Sequence, residues 1–319
     1  MNITKLIKAI ENNLESSEIS MGFINILTYS AKDIRIKNRQ LVLDNGLEKM
    51  EYPLEDINSI LIESQNCLIS VKTLTELAKR NITTYFCDEK HLPSAYLLNY
   101  NGFYKNLEVY NYQTGIAKPT QKQLWKQIVT AKIENQLKVL DLCGIKHNLK
   151  EYVAKIKSAD TDNIEAIVAN QYFKLLFGNK FTRQNENLIN ASLNYGYAIV
   201  RGSIARTVVA HGLLPFLGVF HHNKLNAFNL VDDLIEPFRP LVDLFVIQNI
   251  LCLEENSLTR NIKQTIFGLV NYDTLIQNQH QNLSNAIEIF VNSFVDSITD
   301  NVAKLSCPHL IPLQIHQYE

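Results

Sequence analysis

The chain has 319 residues, 46% of them hydrophobic and 20% charged, and a net charge of −1, so it holds enough apolar material for one large domain or two ordinary ones. Near-neutrality excludes a surface that is basic throughout, and any nucleic-acid face must be local. With no run of about eighteen apolar residues, no signal-peptide pattern, and five cysteines (Cys67, Cys87, Cys143, Cys252, Cys307) without short knuckle spacing, the composition fits a cytoplasmic chain with reduced thiols better than a membrane span, disulfide framework or zinc knuckle.

Residues 1–20 place Ile3, Leu6, Ile7, Ile10 and Leu14 on one face at helical spacing. They are expected to form a short amphipathic helix, an extension ahead of a body that starts near Met21. From residue 21 to about 102 the period changes. GFINILTYS, DIRIKN, QLVLDNG, EKMEYP and SILIES are short β-branched runs, and Asp44-Asn45-Gly46 between two of them is a hairpin signal. One helix is expected over Val71–Arg80, after which ITTYFCD and SAYLLNY return to strand. Asp88, Glu89 and His91 lie together in what reads as a solvated turn.

From residue 103 to 319 the texture is helical. Between Thr120 and Lys157 stand Lys122, Lys126, Lys132, Lys138, Lys146, Lys150, Lys155 and Lys157 against only Glu134, Asp141 and Glu151. Such a stripe is either a solvated helix face or a path for phosphates. In TDNIEAIVANQYFKLLFG, Asp162 and Glu165 have capping-box spacing, and Gly178 is a helix stop. Glu165 also lies near the apolar face, where a carboxylate without a partner is costly. The helix expected over Leu188–His211 carries Arg201 and Arg206, suited to internal ion pairs or to phosphate. The tail beyond Ile247 reads as helical.

The stretch from Pro215 to Asp243, PFLGVFHHNKLNAFNLVDDLIEPFRPLVD, gathers His221, His222, Asp232, Asp233 and Glu236 between apolar runs. Imidazole and carboxylate suit borderline and hard divalent cations, and the prolines of EPFRP break any long helix at the carboxylates. On the residues alone, all five remain possible ligands.

Taken together, E-x6-YF-x3-FG at Glu165–Gly178, NA-x-LNYGY at Asn190–Tyr197, AR-x-VV at Ala205–Val209, and G-x-x-H-x4-N-x-FNL-x2-D-x2-EPFRPLVD at Gly218–Asp243 resemble the CRISPR-associated integrase family (Cas one), the catalytic subunit of spacer acquisition. Within it, the likeness is to the type II branch, and it spans residue 21 to beyond 250. The resemblance implies an α+β fold, with an N-terminal β-sandwich-like domain followed by an all-α catalytic domain. It implies a divalent-metal site, Mg²⁺ or Mn²⁺, held by Glu165, His221 and Glu236, with Asp233 as support or alternative ligand and His222 as a neighbour that packs or touches DNA. The activity implied is joining the 3′-hydroxyl of new spacer DNA into the CRISPR repeat; a stand-alone structure-selective DNA metallonuclease would use the same ligands. Implied partners are DNA, a second copy of the chain, a small ferredoxin-like companion subunit and other type II CRISPR proteins.

Overall fold

A computed structural model describes residues 24–99, 106–251 and 256–317; the helix expected over residues 1–20, the boundary at 102/103 and Cys252 lie outside them. The strand texture of the first part folds into two four-stranded sheets. One has the order β1 (Ile24–Thr28), β5 (Ile57–Ile62), β7 (Thr83–Cys87), β8 (Pro93–Leu97); the other runs β4 (Lys49–Pro53), β3 (Gln40–Asp44), β2 (Asp33–Lys37), β6 (Leu68–Ile69). β1, β5 and β7 pair in parallel, whereas β2, β3 and β4 form an antiparallel meander. The Asp44-Asn45-Gly46 turn joins β3 to β4 as expected, with Gly46 at φ +87°. The two-residue strand β6 is too short to carry a period and escaped the sequence.

Alternation along β5 explains how the layers stack. Ile60 and Ile62 face a core shared with Ile34, Leu41 and Leu43 of the second sheet and with Leu77 of α1 (Val71–Lys79). Leu61, between them, faces the opposite way and joins Tyr85 in the core of the helical part. The first sheet is thus covered on both faces at its centre, which is why β5 reads as a nearly continuous apolar run.

The helical part comprises α2 (Asn106–Gly115), α3 (Lys118–Leu142), α4 (Lys150–Val153), α5 (Ile164–Phe177), α6 (Leu188–Ala210), α7 (Asn229–Leu234), α8 (Arg239–Asn249), α9 (Arg260–Phe267) and α10 (Leu283–Thr299). α6 is apolar on most sides because it runs through the middle, started by the Asn187 side chain accepting from Asn190 N at 2.8 Å. Its Gly202 lets β7 and β8 approach: a Cβ there would stand 2.3 Å from Tyr85 and 2.7 Å from Tyr96. Across that seam Tyr85 donates to Ile199 O at 2.7 Å. A second tie is the buried pair of Lys263 on α9 with Glu63, 2.8 Å apart. His91, read as part of a solvated turn, reaches the same Glu63 at 3.2 Å.

The tail differs from its helical expectation. Asp273–Ile276 (β9) and Gln279–Asn282 (β10) form an antiparallel ribbon whose two turn residues, Gln277 and Asn278, both have positive φ. Polar four-residue strands that pair only with each other and with the chain end leave little periodic signal. Cys67, Cys87, Cys143 and Cys307 are free thiols. No described helix is long and apolar enough to cross a membrane.

Candidate metal centre

Three elements meet around the middle of α3. Its Lys132, 7% exposed, extends its ammonium to Glu165 Oε1 from α5 and to Glu236 Oε2 from the 3-10 turn Glu236–Phe238 that links α7 to α8. Lys132 therefore does not belong to a solvent-facing stripe. The remaining lysines of that stretch divide: Lys150, Lys155 and Lys157 pair with Asp141, Glu151 and Asp162, whereas exposed Lys122, Lys138 and Lys146 and half-buried Lys126 have no ion pair among the described residues.

Each carboxylate is aimed by its local backbone. At the start of α5, Asp160 and not Asp162 supplies the cap, accepting from Ile164 N at 2.9 Å and Glu165 N at 3.0 Å. Asp162 pairs with Lys157 instead, at 2.7 Å. The expected capping box is therefore absent, because Asn163 adopts a left-handed conformation that shifts the helix start. Glu165 is released from capping and free to face Lys132. At Glu236, Pro237 cannot continue the α7 ladder, so the chain tightens into a 3-10 turn. Asn135, one turn past Lys132 on α3, clamps that turn by donating to Pro237 O at 2.8 Å. Arg239 donates to Glu236 Oε1 at 2.8 Å and stacks over Tyr197, 4.7 Å from its ring centre. Glu236 Oε2, fully enclosed, has the Lys132 ammonium as its partner.

The electrostatics follow from burial and partners. Burial alone would push the Glu236 carboxyl up, but Arg239 and Lys132 outweigh it and hold it at about 2. Burial would likewise favour a neutral Lys132, and Glu236 and Glu165 reverse this and keep it charged. Behind the site, Asp243 of α8 accepts from Tyr172 at 2.9 Å and from Tyr197, and burial raises its carboxyl to about 6.

His221 sits in the loop between α6 and α7, with about half its side chain exposed. Asp233, fully buried on α7, holds that loop: its carboxylate accepts from Phe220 N at 2.9 Å, from His221 N at 3.2 Å and from His221 Nδ1 at 2.5 Å. The Asp233 hydrogen bond raises the imidazole pKa. Gly218 makes this embrace possible, because a Cβ there would meet His221 O at 2.3 Å and Asp233 Oδ2 at 2.8 Å. The ring of Trp125 on α3 stacks on Phe220 at 4.3 Å and meets His221 edge-on at 5.8 Å.

The five candidates of the motif thus separate. Glu236 joins Glu165 on one ammonium. Asp233 is spent on positioning His221, and Asp232 on Arg201, at 2.6 Å, with Asn226 alongside. His222 is exposed. His221 is within electrostatic reach of both carboxylates, but no three His, Cys, Asp or Glu side chains among the described residues already form a metal-ligating cluster. The donor set nevertheless fits a divalent cation: two carboxylates converge from separate elements on one cation position, now held by an ammonium, and an imidazole whose Nδ1 is engaged by Asp233 is within electrostatic reach of both. Lys132 and Arg239 were missed as members of the site. For Arg239 the signal was its i+3 spacing from Glu236; for Lys132 it was a lone Lys at an apolar position of α3. Arg201 forms the internal ion pair foreseen for it, whereas Arg206 meets no described carboxylate within ion-pair distance and donates to Asn81 O at 3.2 Å.

Comparison with known proteins places this geometry in a family. The chain is 41% identical over 307 residues to a CRISPR-associated endonuclease Cas1 of Neisseria meningitidis serogroup C, covering 94% of this chain and all of that one. Among solved structures, a casposase bound to its integration product superposes with a TM-score of 0.74 at 20% identity, covering 90% of this chain and 93% of the other. A Cas6-RT-Cas1–Cas2 complex matches with a TM-score of 0.68 at 14% identity, covering 93% of this chain and 38% of that one. The family model for the CRISPR-associated protein Cas1 matches residues 26–257, and the chain belongs to that family.

Proposed function

We propose that this chain, a CRISPR-adaptation integrase and endonuclease by family, joins the 3′-hydroxyl of spacer DNA to the CRISPR repeat at a divalent-metal site held by Glu165, Glu236 and His221. The observation that carries the assignment is the convergence of Glu165 and Glu236, 71 residues apart in sequence (236 − 165), on one cation position, within electrostatic reach of a histidine steered by a buried carboxylate. Glu165, Glu236 and His221 would hold the ion, Mg²⁺ or Mn²⁺, which would supply positive charge against the scissile phosphate and acidify the attacking hydroxyl; an imidazole ligand suits Mn²⁺ at least as well as the harder Mg²⁺.

The chain's own groups supply orientation. Asp233 accepts the proton carried on His221 Nδ1, which leaves Nε2 as a lone-pair donor. Arg239 engages one oxygen of Glu236, and the other faces the Lys132 ammonium at the point where Glu165 arrives. Lys122 and Lys126, one turn apart at the start of α3 and close in sequence to Trp125, provide local positive charge for phosphates in a chain of near-zero net charge. With little covalent work asked of the protein, such positioning carries much of the rate.

DNA and other Cas proteins are its partners, in keeping with the relatives described above. A second copy of the chain, a small ferredoxin-like subunit and further type II proteins extend that assembly. The test is strand transfer in Mn²⁺ with 3′-hydroxyl and 3′-blocked donors, for wild type and Glu165→Ala. Joining that needs the 3′-hydroxyl and vanishes in Glu165→Ala is expected. Joining of blocked donors, or a fully active variant, overturns the mechanism, and cleavage of branched DNA with no joining makes the chain a stand-alone nuclease.

A further inference from the structure

Of the two cations that neutralise Glu236, one is held by a ring as well as by the carboxylate, and the other by Glu165 and Glu236. Arg239 is pinned by its bond to Glu236 Oε1 and by the Tyr197 ring beneath its guanidinium. Lys132 reaches the site on a flexible four-carbon stem, and its ammonium occupies the point where Glu165 and Glu236 meet. A divalent ion bound by the same oxygens must displace that ammonium, since the two cations need the same lone pairs and repel each other.

We propose that Lys132 is a resident counter-ion that holds Glu165 and Glu236 together until a metal ion replaces it, and that its ammonium then moves to a phosphate of the bound DNA. This inference rests on the metal-site assignment above. Its physical basis is the cost of a buried charge without a partner. Once displaced, Lys132 needs a new anion, and Glu165, about a quarter exposed, marks the side on which the site opens to solvent. A phosphodiester arriving there supplies that anion. Metal and DNA therefore bind with positive coupling, each easing the other's entry by the reciprocity of linked equilibria. In the free protein, the ammonium holds metal affinity down. A lysine that serves only as scaffold predicts the opposite: its removal would scatter the carboxylates and weaken metal binding.

The experiment measures Mn²⁺ affinity of the full chain by titration calorimetry, alone and with a 3′-blocked duplex that cannot react, for wild type, Lys132→Met, Lys132→Gln and Glu165→Gln. Wild type is expected to bind Mn²⁺ at least tenfold more tightly with DNA than without. Lys132→Met is expected to bind Mn²⁺ at least tenfold more tightly than wild type without DNA, and to gain little from adding it. Lys132→Gln, which keeps a polar group at the site, guards against a folding defect and is expected to follow Lys132→Met. Variants that melt early in EDTA and recover their Tm in Mn²⁺ support the exchange, because the metal then does what the ammonium did. Unchanged or weaker Mn²⁺ binding in the Lys132 variants, with Mn²⁺ binding lost in Glu165→Gln, overturns the exchange alone. If Glu165→Gln binds Mn²⁺ as wild type does, the metal-site assignment falls and the exchange with it. Lys132 variants that fold in neither condition make Lys132 a scaffold residue and also overturn it.

Discussion

Replacing Asp233 by Asn tests how the histidine is aimed. In the wild type, two carboxylate oxygens serve Phe220 N, His221 N and His221 Nδ1. An amide has one acceptor oxygen, so either the loop backbone or the imidazole loses its partner, and an NH₂ group is turned toward an N–H donor in a fully buried position. Loss of a hydrogen bond to a charged group costs about 1.5–3 kcal/mol. Unfolding entropy of about 2.1 cal/mol/K per residue, taken over 319 residues, turns this into a Tm drop of roughly 2–4 °C. Loss of a group that orients a metal ligand typically lowers metal affinity by about 10–100-fold, and Asp233→Asn is expected to do so for Mn²⁺. Calorimetric melting in EDTA and Mn²⁺ titration read the two effects separately. A variant with wild-type Tm and wild-type Mn²⁺ affinity would refute the role given to Asp233.

Further outcomes follow from the same geometry. Gly202→Ala places a methyl 2.3 Å from Tyr85 between helix and sheet and should cost about 1–3 kcal/mol in denaturant unfolding; no loss would mean that the seam between α6 and the sheet is loose. Lys263→Met leaves Glu63 buried without its ammonium, a loss of about 3–5 kcal/mol by the usual cost of breaking a buried pair, read by the same unfolding curve. Asp243, raised by burial to about 6 in the folded chain, binds its proton more tightly folded than unfolded, so its burial costs stability as pH rises from about 4 through 6. Asp243→Asn stays neutral and escapes that cost. The stability difference between variant and wild type should therefore move in the variant's favour by roughly 2 kcal/mol between pH 4 and pH 8, and a difference that is flat with pH contradicts it. Lys122→Glu with Lys126→Glu should weaken DNA binding across sequences and flatten its salt dependence by about 0.9 for each phosphate that the protein no longer neutralises, with Tm unchanged.

The strands of the first part were legible because β-branched runs between turn residues carry a clear period. Only the two-residue β6 and the polar β9–β10 ribbon lacked one. At the site, composition and spacing gathered five possible ligands in one segment and the family resemblance singled out His221 and Glu236 with Asp233 in support, yet their division of labour was not in the spacing. Asp233 and Glu236 have the spacing of one helical turn, but the α-helix ends at Leu234 and Glu236 opens a 3-10 turn, so one carboxylate goes under the His221 loop and the other toward α3. Asp160, at positive φ, capped α5 where Asp162 had the better sequence spacing. Lys132 was counted with a basic stripe because its buried surroundings come from elements 33 and 104 residues further along the chain (165 − 132, 236 − 132), which no local pattern reveals.

The central claim, that Glu165, Glu236 and His221 hold one divalent cation, is tested most directly by anomalous diffraction from crystals of this chain soaked in Mn²⁺. A manganese peak within bonding distance of a carboxylate oxygen of Glu165, Glu236 Oε2 and His221 Nε2, with the Lys132 ammonium moved off both carboxylates, is the predicted result. A peak that avoids these three side chains, or none at Mn²⁺ concentrations that support strand transfer, would contradict it.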